Sequence, residues 1–247
     1  MTALKLLACL AVLGWAACLG ASASADNISF SFTFINPPEP PLFTLSSSYS
    51  ASASVPLAET DWASSVSITK FDPALGTLNS IEIELQAHME GTAKFEHRGG
   101  SAATVTTYLS ADLLVQRPDL SDLVGAWPTA TTVDNVSGFD GTVDFGGTSG
   151  VTHAGLSADL TNSTLTSSAA DLALFTGTGN IELPVVATAG SAATGSGNML
   201  FDFTNLASAD VKVTYNYAPV PEPSTLVGLV GMGLAGLALV WRRRRAK

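Results

Sequence analysis

The chain has 247 residues, of which 46% are hydrophobic and 13% are charged, and its formal net charge is −10 at pH 7. All 21 acidic residues lie between Asp26 and Glu222, where only five basic residues accompany them, and five more basic residues follow Trp241. Such an acidic region repels phosphate and has no basic patch that could release counterions. We therefore expect no nucleic-acid partner.

The first 25 residues have the layout of a secretory signal peptide. A start with the single positive charge of Lys5 precedes an apolar run over residues 6–19, and small residues follow it up to Ala25. Ala23 and Ala25 supply the A-x-A pattern that signal peptidase recognises, so the sequence predicts cleavage after Ala25. Residues 1–25 are thus assigned as a signal peptide, and the mature chain is expected to begin at Asp26.

Two alternatives for this segment are an uncleaved membrane anchor and a lipoprotein signal that uses Cys18. The apolar run is short for a membrane span, and Trp15 stands where a lipoprotein signal takes a small aliphatic residue. Cys9 and Cys18 are the two cysteines of the chain, and both lie inside the signal. The mature chain therefore has no thiol for disulfides, catalysis or zinc binding, and its fold must depend on its hydrophobic core.

Residues 26–217 are dominated by apolar and polar residues in alternation, the pattern of strands that bury one face. It is clearest at 28–34, 81–90 and 211–217. Further strands are predicted at 64–70, 92–96, 104–109, 141–145, 180–186 and 198–204, with short helical turns at 117–124 and 169–175. We expect an all-β ectodomain, an antiparallel β-sandwich or jelly roll. Its predicted core contains Ile28, Phe30, Phe32, Phe34, Ile81, Ile83, Leu85, Val211, Val213 and Tyr215, whereas Glu82, Glu84 and Lys212 face water.

The segment DNVSGFDGTVDFGG, residues 134–147, is the best candidate for ligand binding. Asp134, Asp140 and Asp144 supply oxygen ligands of the kind that calcium prefers, and the glycines permit tight turns. The spacing matches neither an EF-hand nor a calcium-binding repeat. An ordinary hairpin with solvated aspartates is the alternative, so no metal site is assigned.

Other arrangements point less clearly to chemistry. His88, Glu90 and His97 would form a metal site if a hairpin brought them together, although their spacing is equally typical of solvated residues. Glu82 and Glu84 lie about 7 Å apart on one strand face, as any such pair does. The many serines do not include a GxSxG motif, the nucleophile elbow of serine hydrolases. We expect no enzymatic activity and no cofactor.

The tail, residues 218–247, contains an apolar segment between two distinct flanks. Its sixteen uncharged residues, 226–241, span about 24 Å as a helix, which is short for a hydrocarbon core of about 30 Å. With two more residues, 224–241 is predicted to be a transmembrane helix. The following segment, 242–247, contains an arginine cluster that sets the topology, because these charges stay in the cytoplasm and leave the acidic domain outside. This cluster consists of Arg242, Arg243, Arg244 and Arg245.

Three features of this tail occur in a characteristic order: the segment Val-Pro-Glu-Pro-Ser at 220–224, the apolar span, and the terminal arginines. The tail resembles the PEP-CTERM sorting signal. That resemblance implies recognition at Pro221, Glu222 and Pro223 by an exosortase, a membrane cysteine peptidase-transferase of bacteria with an outer membrane. It implies cleavage at or near this motif and association with exopolysaccharide or biofilm. The tail would then be a substrate label, and the chain would contribute no catalytic residue.

A second resemblance concerns residues 71–85, FDPALGTLNSIEIEL, in which a Phe-Asp-Pro turn precedes an alternating strand. This segment resembles the choice-of-anchor E domain of bacterial surface proteins, which implies no known chemistry. From the residues themselves, Asp72 and Pro73 are expected to begin a turn, and Gly76 to permit a positive φ.

Taken together, the sequence predicts a signal peptide (1–25), a β-sandwich ectodomain (26–217) and a sorting signal (218–247). We expect a non-enzymatic exported protein, held in the inner membrane by its C-terminal helix until processing, and then located at the cell surface or in the extracellular matrix. Its expected partners are an exosortase and exopolysaccharide. A lectin-like polysaccharide-binding module, assisted by calcium, is the alternative, and a secreted hydrolase is a third.

Overall fold

The computed structural model describes residues 46–195 and 198–220. The signal peptide, the predicted strand at 28–34 with its four core residues, and the predicted transmembrane helix lie outside these residues. Within the described ranges, no helix is long and apolar enough to cross a membrane.

The described residues form an all-β fold with two short helical segments. Phe175 is the last residue of the α-helix and is fully buried, whereas the 3-10 helix has no buried residue. The strands are β1 (Ser47–Glu59), β2 (Trp62–Thr69), β3 (Gly76–His97), β4 (Ala103–Gln116), β5 (Asp122–Ala126), β6 (Thr129–Val136), β7 (Gly150–Thr166), β8 (Asn180–Ala189), β9 (Ala192–Thr194) and β10 (Met199–Pro219); the 3-10 helix is Pro73–Leu75 and α1 is Ala169–Phe175.

Two antiparallel sheets face each other, which confirms the predicted sandwich of antiparallel sheets. The first sheet has the order β1-β10-β3-β7, and the second has the order β2-β8-β4-β5. In the second sheet, β6 and β9 pair with the first half of β4, whereas β5 and β8 pair with its second half. One continuous core between the sheets takes inward side chains from both.

The predicted register of the central strands is confirmed. Ile81, Ile83 and Leu85 of β3 and Val211, Val213 and Tyr215 of β10 are all fully buried in the core. Lys212 is exposed, and Glu82 and Glu84 are half-buried on the outer face. Because side chains alternate between the faces of a strand, a shift of one residue would have reversed every one of these positions.

β3 and β10 are much longer than the sequence predicts. The predicted segments 81–90 and 92–96 both belong to β3, which has 22 residues. The predicted segments 198–204 and 211–217, apart from residue 198, both belong to β10, which has 21 residues. The two strands pair along their whole length. Gly91 lies within β3 at a point where the backbone of β10 approaches closely. A side chain at this position would clash with the carbonyl oxygen of Thr204, so glycine is required here. At about 3.3 Å per residue β3 extends roughly 70 Å.

Two local predictions are wrong. Residues 141–145 are not a strand but part of the loop between β6 and β7, and residues 117–124 form a turn followed by β5 rather than a helix. The helical turn predicted at 169–175 is confirmed as α1. The strands β1, β6 and β7 were not predicted, because their inward positions hold small or polar side chains or are themselves exposed.

The long strands give the sandwich two ends, which we name by their position relative to the tail. We call the end where β10 finishes at Pro219 and β3 begins at Gly76 the exit end, because the tail leaves there. The opposite end, where β3 finishes at His97, is the distal end. It contains the loop of residues 137–149, which we call the distal loop.

Candidate functional site

The distal loop contains two of the three aspartates in the predicted calcium segment. The carboxylate of Asp140 accepts hydrogen bonds from the backbone N–H of Thr142 (3.1 Å) and of Thr148 (3.2 Å). These bonds hold the pKa of Asp140 below its ordinary value. Asp144 accepts a bond of 2.9 Å from the N–H of Gly146. Both carboxylates therefore stabilise turns of the loop itself.

The third aspartate, Asp134, lies in β6 rather than in the loop. Its carboxylate is 2.7 Å from Nε2 of His153 on β7, so this pair joins the two sheets at their edge. The structure thus does not gather Asp134, Asp140 and Asp144 at one point. Among residues 46–195 and 198–220, no three His, Cys, Asp or Glu side chains form a group that could hold a metal ion.

A buried carboxylate that the sequence analysis missed anchors the distal loop. Glu96 is fully buried, and its two oxygens accept bonds from Ser149 Oγ (2.6 Å) and from the backbone N–H of Phe145 (2.9 Å). Ser149 is also fully buried. These residues fix both ends of the last turn of the loop to the end of β3. Their separation of 53 residues leaves no local sequence signal for the contact.

The hairpin that would have united His88, Glu90 and His97 is absent, because β3 continues straight through these residues. His88 lies between Glu90 (3.0 Å) and Asp159 (2.8 Å) on the outer face of the first sheet. Hydrogen bonds to these carboxylates raise the pKa of His88. His97 is buried at the distal end, where its Nδ1 is 3.0 Å from the carbonyl oxygen of Ser137.

At the exit end, an ion pair between buried Asp171 and half-buried Arg117 holds α1 against the turn that precedes β5. Asp171 accepts bonds from Arg117 (2.7 Å), Thr166 (2.7 Å) and Ser168 (2.9 Å). Chiefly because of the Arg117 guanidinium, the pKa of Asp171 falls from 3.8 to about 2. The ionised carboxylate therefore stabilises this end of the domain at neutral pH.

The point where the tail leaves the domain is defined by the Phe-Asp-Pro segment. Asp72 caps the 3-10 helix through a bond of 2.8 Å from the N–H of Ala74, which confirms the predicted turn. Pro219 pairs with Gly76, which has the predicted positive φ, and the N–H of Val220 donates to the carbonyl oxygen of Leu75 (3.1 Å). The domain therefore holds the chain up to Val220. Pro221, Glu222, Pro223 and the arginine cluster lie outside the described residues, as do Ala23 and Ala25.

The family described as the PEP-CTERM protein-sorting motif matches residues 219–245. None of the curated proteins matches the chain. Among solved structures, that of the infectious bursal disease virus Gx strain aligns at 11% identity and a TM-score of 0.18, over 89% of this chain and 56% of that one. The T=1 particles derived from the same virus align at 14% identity and a TM-score of 0.17, over 92% and 56%.

This chain spans just over half the length of those viral proteins, and TM-scores so low support no inference about fold or function. The family match is different in kind, because it covers the tail that the sequence analysis singled out. Its first residue, Pro219, is also the last residue of β10. The chain therefore carries a PEP-CTERM protein-sorting motif, and this motif indicates a surface protein that an exosortase sorts.

Proposed function

We propose that this chain is a non-enzymatic protein of the bacterial surface or extracellular matrix, anchored by its tail only until an exosortase cuts at or near residues 221–223. The observation that carries the proposal is the overlap between the sorting motif and the last strand. Pro219 pairs with Gly76, the N–H of Val220 donates to the carbonyl oxygen of Leu75, and the motif begins at Pro219 itself. The last strand of the ectodomain thus leads into the sorting motif without an intervening linker.

The two ends of the sandwich give the displayed domain a direction. While the apolar segment 226–241 is in the membrane, the exit end lies next to the membrane, because only residues 221–225 separate this segment from Val220. The distal loop is then held about 70 Å away from the exit end, at the other end of β3. A rigid sandwich of this length suits a protein that presents one end to the surroundings of the cell.

Association with exopolysaccharide is the role we propose after release. The outer face of the first sheet is rich in hydroxyl and charged groups, such as the Ser50–Thr214 pair at 2.9 Å and the Lys94–Asp202 ion pair. These groups can exchange hydrogen bonds with polysaccharide hydroxyls, mostly through water, as polar surfaces commonly do. The resemblance of the ectodomain to the choice-of-anchor E family stays a prediction, and it is compatible with this role.

The proposal is tested with an exosortase-containing host and a variant in which Pro221 and Glu222 are both replaced by Ala. We expect wild-type protein in the matrix fraction and the full-length variant in the inner membrane. A matched control replaces Pro38 and Glu39, which belong to a second Pro-Glu-Pro sequence without a following apolar span. Normal release of the Pro221/Glu222 variant would refute the proposed role of the motif.

A lectin-like activity is separated from simple matrix association by a binding assay. Purified protein is incubated with the host's exopolysaccharide and with a glycan array, each with and without a calcium chelator. Matrix association alone predicts weak retention that the chelator leaves unchanged. Saturable binding to one glycan, abolished by the chelator, would support the lectin alternative and a calcium site in the distal loop.

A further inference from the structure

The distal half of β10 has one open edge. β1 covers the edge of β10 from Tyr217 only as far as Leu206, which pairs with Glu59, the last residue of β1. The carbonyl oxygen of Asn205 then accepts hydrogen bonds from the N–H (2.9 Å) and the hydroxyl (3.1 Å) of Thr60, the residue that follows β1. Within the described residues, 199–204 pair with β3 on one side and with no strand on the other.

This open edge is apolar on its inner face. Phe201 pairs with Phe95 and Phe203 pairs with Ala93, and both partners are fully buried in the interior of the sandwich. Phe201 nevertheless remains 40% exposed, and its ring stacks on that of Phe203 at 6.2 Å and 8°. A neighbouring strand would place side chains about 5 Å from these rings and cover them.

The peptide groups at this edge are arranged to receive a strand. Because the carbonyl of Asn205 is directed at β1, the alternate residues Phe203 and Phe201 direct their own N–H and C=O groups to the same edge. Exposed edges of this kind are the sites at which extended segments add to sheets.

The chain itself contains a segment that matches this edge. Residues 28–34, ISFSFTF, alternate four apolar residues with three polar ones, and as a strand they are long enough to cover the open stretch 199–204 and to reach Asn205. With cleavage after Ala25, this segment stands almost at the mature N-terminus. Residues 35–46, which connect it to β1, include four prolines and therefore favour an extended spacer.

The same copy of the chain cannot supply this strand in the antiparallel sense. β1 begins opposite Tyr217, so a strand that covers residues 199–205 would end about 59 Å from it. The 13 residue steps from position 34 to Ser47 span at most about 47 Å. A parallel strand would need about 40 Å, which a nearly straight spacer can reach, but parallel pairing is the less stable kind.

We propose that residues 28–34 of a second copy of this chain add to the open edge of β10 as an antiparallel strand and cover Phe201 and Phe203. Each copy donates one strand and accepts another, so the contact is head-to-tail. Such contacts close into rings or continue as filaments. This inference is independent of the sorting mechanism, because it requires only the export of the mature N-terminus.

The test uses the full chain, purified in detergent from a host without exosortase. Wild-type protein is expected to form concentration-dependent oligomers, and Phe32→Asp in the donor segment and Phe201→Asp in the acceptor edge are each expected to reduce the oligomer fraction at least tenfold. A mixture of the two variants should give dimers alone, because one variant keeps a donor and the other an acceptor. Leu165→Asp on the exposed edge strand β7 is the matched control and should leave the oligomers unchanged.

Cysteine pairs keep the test decisive if a variant folds poorly, since the mature chain has no other cysteine. Phe32→Cys with one tag and Phe201→Cys with another should form a disulfide between differently tagged chains, because these two positions lie opposite each other in the antiparallel register. A monomeric wild type at tens of micromolar would overturn the proposal. So would oligomers that survive both aspartate substitutions, or an internal disulfide in a Phe32→Cys/Phe203→Cys double variant, because that pair lies opposite only in a parallel strand from the same chain.

Discussion

Glu96 accepts a hydrogen bond of 2.6 Å from Ser149, and this contact closes the distal loop onto the end of β3. Both side chains are fully buried, and Glu96 also accepts the N–H of Phe145. A buried carboxylate is tolerated only when its hydrogen-bonding capacity is used, and here two donors from one loop satisfy it. The conformation of the loop therefore depends on a residue that lies outside it.

Replacing Glu96 with Ala is expected to lower the free energy of unfolding by about 3 kcal/mol, because the buried hydroxyl of Ser149 and the partly buried N–H of Phe145 lose their acceptor. Urea unfolding at neutral pH measures the change. Glu84→Ala, on the half-buried outer face of the same strand, is the control and should change stability by less than about 0.5 kcal/mol. An equal effect of the two substitutions would contradict the anchoring role of Glu96.

Asp171 makes the exit end sensitive to acid. Its pKa of about 2 in the folded protein lies below the ordinary value of 3.8, so ionised Asp171 stabilises the fold above pH 4. That contribution, about 2 kcal/mol, is lost as the pH falls from about 4 to about 2. Urea unfolding at pH 2, 3, 4 and 7 should show this loss in the wild type. The Asp171→Asn variant should be less stable than the wild type at pH 7 and should lack this part of the pH dependence. If its free energy of unfolding falls between pH 4 and pH 2 as steeply as that of the wild type, the role of Asp171 is contradicted.

Gly91 and Gly100 form a matched pair for a test of the close approach between β3 and β10. A Cβ atom at position 91 would lie 2.0 Å from the carbonyl oxygen of Thr204, whereas one at position 100 would meet nothing within 4 Å. We expect Gly91→Ala to cost about 2 to 4 kcal/mol of unfolding free energy and Gly100→Ala to cost almost nothing. The midpoints of thermal unfolding of the two variants measure this difference. Similar midpoints would show that β3 and β10 can separate at Gly91 and that their close approach there is not required.

The central strands were predictable because their chemistry repeats locally. Ile81, Ile83 and Leu85 alternate with charged residues, and this pattern fixes both the strand and its buried face. β1 was missed because its alternate inward positions include Ala51 and Ala53, whose side chains contrast little with the intervening serines. An alternation of small residues carries too little hydrophobic difference to indicate a face.

The contacts of the candidate site could not be predicted, because they join residues that are distant along the chain. Glu96 reaches Ser149, and Asp134 reaches His153 across an edge between sheets. The aspartates of the distal loop were recognised as turn or ligand residues, and only the fold shows that Asp140 and Asp144 bond to their own backbone. The tail was predictable because its signal is contiguous and matches a known motif.

The absence of a linker between β10 and the sorting motif predicts slow processing. Val220 is bonded to Leu75, so a membrane peptidase must reach residues 221–223 directly beside a folded domain. Insertion of six Gly and Ser residues after Val220 is expected to accelerate cleavage several-fold, because such a spacer is flexible. Pulse-chase labelling in an exosortase-containing host measures the rate. Insertion of the same residues after Gly190, in the turn that follows β8, controls for chain length and should leave the rate unchanged.

The central claim is that the tail is a sorting address that is removed, and the intact mass of the surface protein tests it most directly. Protein recovered from the matrix of an exosortase-containing host should lack Trp241 and the four arginines, and its C-terminus should lie at or near Pro221–Pro223 unless a further group is attached there. In a host without exosortase the full tail should remain. Surface protein that retains Trp241 and the arginines in the presence of exosortase would contradict the claim and leave the tail as a permanent anchor.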